Sequence, residues 1–207
     1  MNLSDIAQVL SVLRAGLQPV AAVHGLVDVL EGERPQARKA AVLLPLFVQN
    51  GEAHLVFIRR ASTLRAHSGE IAFPGGSYDA EDASLITTAL REAREEIGLS
   101  PARVEVLGLL PPVFTVVSNF LIAPVVAYLP MGPGELQAQV SEVAEVLLLP
   151  LQALADPAIA HTEIWDTAGR TRTVYFYDYG SLRIWGATGR ILYSLLSSLT
   201  VPPHLVK

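Results

Sequence analysis

The chain has 207 residues, 51% of them hydrophobic and only 17% charged, which suits one domain with a proper core and excludes extensive disorder. The formal net charge of −5 leaves no basic footprint for DNA or RNA, so no nucleic-acid partner is expected. Cysteine is absent, which excludes disulfide frameworks, zinc–thiolate centres and cysteine nucleophiles and fits a cytoplasmic location.

In chain order, the N-terminus has Asp5 early and no basic stretch before an apolar run, so no secretory leader is expected. Residues 4–15 ("SDIAQVLSVLRA") read as an amphipathic helix with Ser4 as N-cap. Residues 18–38 read as helix plus linker, making residues 1–38 a helical extension of a single domain spanning 1–207. "AAVLLPLFVQNGEAHLVFIRRA" is two apolar runs around Asn50-Gly51, a strong hairpin signal. "LRAHSGEIAFPGGSYDAED" reads as a long loop with at most one short strand. From Ala83 to Ile97 the apolar residues Ile86, Leu90, Ala93 and Ile97 recur at helical spacing, and Gly98 stops the helix.

Val106 to Gly134 carry no charge, a length that raises a membrane span. Pro111, Pro112, Pro124, Pro130 and Pro133 interrupt it, so two buried strands joined by a loop are expected and no membrane association. "EVAEVLLLPLQALADP" reads as a strand running into a short helix, "TRTVYFYDY" as a strand, and "ATGRILYSLLSSLT" as a closing helix. Strands interleaved with a few helices predict a mixed sheet covered by helices on both faces, an α/β fold.

On the helix "REAREEIG" (91–98), Glu92, Glu95 and Glu96 stand at i, i+3 and i+4 and project as neighbours. Three like charges repel, and a hard divalent cation with oxygen ligands, Mg²⁺ or Mn²⁺, removes that penalty. An acidic solvated helix face explains the same residues equally well on this helix alone. Arg91 is placed to pair with Glu95. Just upstream, "FPGG" (73–76) puts two glycines where backbone can approach a ligand closely.

Taken together, Gly76, Asp82 and "REAREEIG" resemble the signature of the Nudix hydrolases, G-x5-E-x7-R-E-U-x-E-E-x-G-U, with U apolar. The match is complete from Arg91 through Leu99. The front half departs: Gly76 lies one residue further from Arg91, and the glutamate position is held at best by Asp82. Within that family, "VFIRRASTLRAHSGEIAFPGG" resembles the coenzyme A pyrophosphatase subgroup, with Arg60, Arg65, Gly69, Phe73, Pro74, Gly75 and Gly76 at its spacing. "LPPV" (110–113) and "WGATGRIL" (185–192) are weaker likenesses to the same subgroup.

The resemblance implies a Nudix fold, a mixed β-sheet sandwiched between helices (α/β/α), and metal-dependent hydrolysis of a nucleoside diphosphate linked to another moiety. Coenzyme A or its acyl form would give 3′,5′-ADP and 4′-phosphopantetheine or its acyl form. ADP-ribose, NADH or a dinucleoside polyphosphate are alternative substrates, and a non-catalytic nucleotide sensor is the alternative of another class. Glu92, Glu95 and Glu96 are the expected Mg²⁺ or Mn²⁺ ligands and catalytic residues, with the Gly76 carbonyl as a further ligand. Glu142 and Glu145 are candidates for the general base, Glu142 being favoured. Arg60, Arg65, Gly75 and Gly76 are expected to bind the substrate, the arginines as phosphate clamps. Glu70 reads as a strand-surface residue and His54 and His67 as structural or surface residues. Core packing is the expected role of Trp185, Tyr175 and Tyr177, ahead of adenine stacking.

Overall fold

Asn50 and Gly51 both take positive φ, 53° and 82°. That is the backbone a two-residue hairpin turn requires, and it joins β1 (Arg38–Gln49) to β2 (Glu52–Arg60). The computed structural model describes residues 3, 5–22, 36–63, 67–167 and 170–200. Strand alternation sends Ala41, Leu43 and Phe47 of β1 into one core and Leu44 and Leu46 into the other. β7 (Phe120–Tyr128) lies parallel to β1 along Arg38–Leu46, and β5 (Glu105–Leu109) closes that side of the sheet.

β1 and β2 stay paired only from Leu46↔Leu55 to Gln49↔Glu52, then splay apart. The freed edge of β2 takes β3 (Ile71–Ala72), and the freed edge of β1 takes β4 (Gly75–Ser77). Phe73 and Pro74 therefore bridge the split, and the Leu43 N–H donates to the Pro74 carbonyl at 2.8 Å. The other edge of β2 pairs along its length with β8 (Val143–Pro150). β6 (Val113–Thr115) pairs with β7.

Helix α2 (Leu85–Ile97) packs Leu85, Ala89, Ala93 and Ile97 on one face of this sheet. The opposite face carries α1 (Ile6–Gly16) and α4 (Gly186–Thr200), with the four-residue α3 (Leu151–Leu154) beneath them. The same core takes Tyr177 and Ile184 from a three-stranded sheet of β9 (Ala160–Thr167), β10 (Arg170–Tyr179) and β11 (Leu182–Trp185). The fold is α/β, a mixed sheet between helices, as expected from the sequence.

Four local expectations change. Asp5 caps α1 through Oδ1, accepting from Ala7 and Gln8, whereas Ser4 lies outside the described residues. Residues 18–38 show one short 3₁₀ turn at Val20–Ala22, and 23–35 lie outside the described residues. The glycine loop forms two short strands because the sheet split offers two free edges. The uncharged stretch forms three strands, since β6 folds back on β7. Two strands were missed: β9 and β11 are short or charge-rich, and pairing with β10 decides them. Among the described residues no helix is long and apolar enough to cross a membrane.

Candidate active site

The site is built on α2, whose ends are set by local chemistry. The Ser84 Oγ accepts from the Thr87 N–H at 3.2 Å, and Gly98 (φ 69°) closes the helix in the left-handed conformation. Arg91 is its organiser. Its Nε and Nη2 donate to the two oxygens of Asp82 at 3.0 and 2.9 Å, a bidentate pair. Its Nη1 reaches Glu92 (2.9 Å) and Glu95 (3.1 Å), and Nη2 also donates to the Ser77 carbonyl at 3.2 Å. Asp82 additionally accepts from the Thr88 hydroxyl at 2.9 Å and the Asp79 N–H at 3.1 Å.

Asp82 therefore fills the acidic position despite its shorter side chain. The Arg91 hydrogen bonds, outweighing burial, lower its pKa to about 2. The spacing from Gly76 to Asp82 was the available signal, because it places the extra residue between Asp82 and Arg91. The contribution of Thr88 carried no sequence signal.

Glu92 and Glu96 face β4. The Gly75 N–H donates to a Glu96 oxygen at 2.8 Å, and Glu96 is only 2% exposed. A Cβ at Gly76 would fall 2.5 Å from the Glu92 carboxylate, so any side chain here would displace that carboxylate. Burial raises the Glu92 pKa and pushes that of Glu96 to about 7, with Glu92 and Glu142 adding repulsion at Glu96. Glu95 points outward, drawn to Arg91, with 59% of its side chain exposed.

Arg60, at the end of β2, bears on Glu96 as a cation, and its Nε is buried without a hydrogen-bond partner. Glu142 arrives on a segment latched to the end of α2. The Gln137 and Gln139 N–H groups donate to the Ile97 and Glu96 carbonyls at 2.9 and 2.8 Å, and the Ala61 N–H to the Glu142 carbonyl at 2.8 Å. The charge of Glu142 is felt by both Glu92 and Glu96. Glu145 instead accepts from the Arg59 Nε at 3.1 Å. The latch was invisible in the sequence, being backbone alone. Arg65 lies outside the described residues.

Of the aromatic residues, Tyr177 is in the core and Tyr175 packs against it, whereas Trp185 stacks on Phe176 at 6.1 Å. The His54 Nδ1 lies 3.0 Å from the Glu52 carbonyl, a structural contact.

Among the described residues no three acidic or imidazole groups form a ready-made metal shell. Arg91 occupies an oxygen of Glu92 and of Glu95, and Gly75 one of Glu96. The donor set nonetheless fits a hard divalent cation. It is all oxygen, two of its carboxylates are one helical turn apart, and their raised pKa values report burial first and mutual repulsion second, both of which a bound cation would offset.

Residues 37–167 match the family model described as NUDIX domain. A Photorhabdus laumondii protein named "Uncharacterized Nudix hydrolase NudL" is 39% identical over 164 residues, covering 79% of this chain and 86% of that protein. A Citrobacter koseri protein of the same name is 38% identical over 174 residues, covering 84% and 89%. Among solved structures, a Nudix hydrolase from Alicyclobacillus acidocaldarius is 20% identical with a TM-score of 0.49, covering 78% of this chain and 92% of that one.

Proposed function

This chain belongs to the Nudix hydrolase family, and from that membership we propose that it hydrolyses the pyrophosphate bond of coenzyme A or acyl-coenzyme A. The observation that carries the substrate reading is that the two sequence motifs meet. Arg60, from the segment before the glycines, acts as a cation on Glu96 of the carboxylate helix. A pyrophosphate brings negative charge to a pocket already lined with carboxylates, so a cation between them and a guanidinium on the substrate are both needed. The Arg60 Nε, buried and without a partner, supports a role in holding a substrate oxygen.

Glu92 and Glu96 would hold Mg²⁺ or Mn²⁺, with Glu95 and the Gly76 carbonyl as further donors. Such an ion, when bound, neutralises pyrophosphate charge and lowers the pKa of a bound water. Arg91 restrains Glu92 and Glu95 at fixed rotamers, and Gly75 orients the Glu96 carboxylate through its N–H. Glu142 is the proposed general base. Water attacks one phosphorus in line, its proton passes to the Glu142 carboxylate, and the P–O bond to the bridging oxygen breaks. The products are 3′,5′-ADP and 4′-phosphopantetheine, or its acyl form. The partner is thus a small molecule, and the enzyme's proposed setting is the cytoplasm.

A panel of coenzyme A, acetyl-coenzyme A, ADP-ribose, NADH and diadenosine polyphosphates, assayed with Mg²⁺ and with Mn²⁺, tests this reading. Coenzyme A or its acyl form is expected to give the highest kcat/KM, and Glu96→Gln to abolish turnover without lowering the Tm of the metal-free protein. Faster hydrolysis of ADP-ribose would overturn the coenzyme A reading, and no turnover of any compound would favour a nucleotide sensor.

A further inference from the structure

Strand β9 has nothing to bury: every side chain described from Ala160 to Asp166 is exposed. Its inner edge pairs with β10 without a register shift, from Ala160↔Tyr177 to Thr167↔Arg170. Among the described residues nothing pairs with its outer edge. A long, regular edge of unpaired N–H and C=O groups is a template for another strand, and monomers blunt such edges with lysine, proline or a bulge. The segment "AHTEIWDT" has none of the three.

The two faces of β9 differ. His161, Glu163 and Trp165 share the face of Phe176 and Trp185. There His161 stacks on Phe176 at 4.9 Å, Trp165 lies 5.9 Å from Trp185, and the Trp165 Nε1 donates to Glu163 at 2.7 Å. Thr162, Ile164 and Asp166 share the other face with Tyr177 and Ile184 of the core. Ile164 lies beyond that core, opposite Thr173 and 67% exposed. Ile164 and Trp165 thus leave apolar surface on both faces of an unblocked edge.

We propose that the outer edge of β9 takes a second copy of this chain, pairing antiparallel with its own β9 about a two-fold axis at Ile164. A two-fold axis normal to the sheet keeps each face continuous, so the interface is isologous. In this register Ile164 meets its own copy, Glu163 meets Trp165 and Thr162 meets Asp166. Each acid then faces a side chain able to donate to it, the indole that already serves Glu163 within the strand and the Thr162 hydroxyl. The neighbouring registers lack this match. An axis at Glu163 sets two carboxylates directly opposite, which is destabilising, and an axis at Trp165 sets Ile164 against Asp166. The strand is complementary to itself in charge and in apolar surface, and that selects a second copy as the occupant.

Sedimentation equilibrium of the full chain over a range of concentrations tests it. The wild type is expected to form dimers, and Ile164→Lys to be monomeric with an unchanged far-UV circular dichroism spectrum. The chain has no cysteine, so single introduced thiols report the register. Ile164→Cys, paired with itself, should form an intermolecular disulfide under mild oxidation roughly 10-fold faster or more than Asp166→Cys, because facing thiols sit at a raised effective concentration. A wild type that stays monomeric overturns the proposal and leaves the edge to a strand of another protein. A dimer that survives Ile164→Lys also overturns it, placing the contact elsewhere. If Ile164→Lys fails to fold, the thiols decide: equal cross-linking at 164 and 166 overturns the register and the proposal with it.

Discussion

Arg91 donates to Asp82, Glu92, Glu95 and the Ser77 carbonyl, so one guanidinium restrains two carboxylates of the helix and ties them to β4. Asp82 in turn holds Arg91 in place, and the pair raises the arginine's pKa further while lowering that of the acid. The sign of the linkage follows. A carboxyl depressed from 3.8 to about 2 adds stability that is complete above about pH 4 and lost as pH falls towards 2. Asp82→Asn is therefore expected to cost about 1–2 kcal/mol at pH 7, discounted because Arg91 is partly exposed, with the gap closing towards pH 2. Urea denaturation of both proteins across that range measures it. A pH-independent gap would mean that the ion pair contributes nothing.

Helix α2 and strand β4 meet through glycine. Gly76→Ala would drive a methyl group into the Glu92 carboxylate and push it from Arg91 and from the proposed metal position. We expect turnover to fall on the order of 100-fold, while the overpacking costs only about 1–3 kcal/mol in stability. Parallel assays of kcat and Tm separate the two; an unchanged kcat would show that Glu92 has room to move. At this scale much of the structure was legible. The Asn50–Gly51 hairpin and the stop at Gly98 rest on turn and cap chemistry carried by the residues themselves. The carboxylate face of α2 was equally readable from its spacing. What was not legible depends on tertiary pairing: the two short strands at the sheet split and the backbone latch behind Glu142. The exposed β9 shows no apolar alternation, because pairing with β10 and the contact of Trp165 with Trp185 hold it rather than burial.

For the molecule as a whole, the N-terminal helix is part of the core. Val9, Leu10 and Leu13 of α1 lie in one cluster with Leu192, Leu195 and Leu199 of α4 and with Leu44 and Leu46 of the sheet. Leu13, 1% exposed, has no way to leave without a cavity. Leu13→Ala is expected to cost about 2–4 kcal/mol, with kcat at 20 °C unchanged because the site lies on the other face of the sheet. Chemical denaturation and turnover together check this. A loss of turnover in the still-folded variant would show that the two faces communicate.

The divergence of β1 from β2 also has a consequence for how the chain reaches this state. The hairpin joining them closes over two residues and needs nothing else. The parallel pairing of β1 with β7 must instead close a loop of about eighty residues. β4 settles on the edge of β1 left open by the splay, α2 packs over the sheet and β4 together, and Glu142 is held both by the latch at the end of α2 and by the Ala61 N–H. The carboxylate pocket is thus expected to assemble after the hairpin and to open before it when the molecule fluctuates. A cation held there resists those partial openings directly, so its slowest release should track the slowest amide exchange at Gly75 and Gln139.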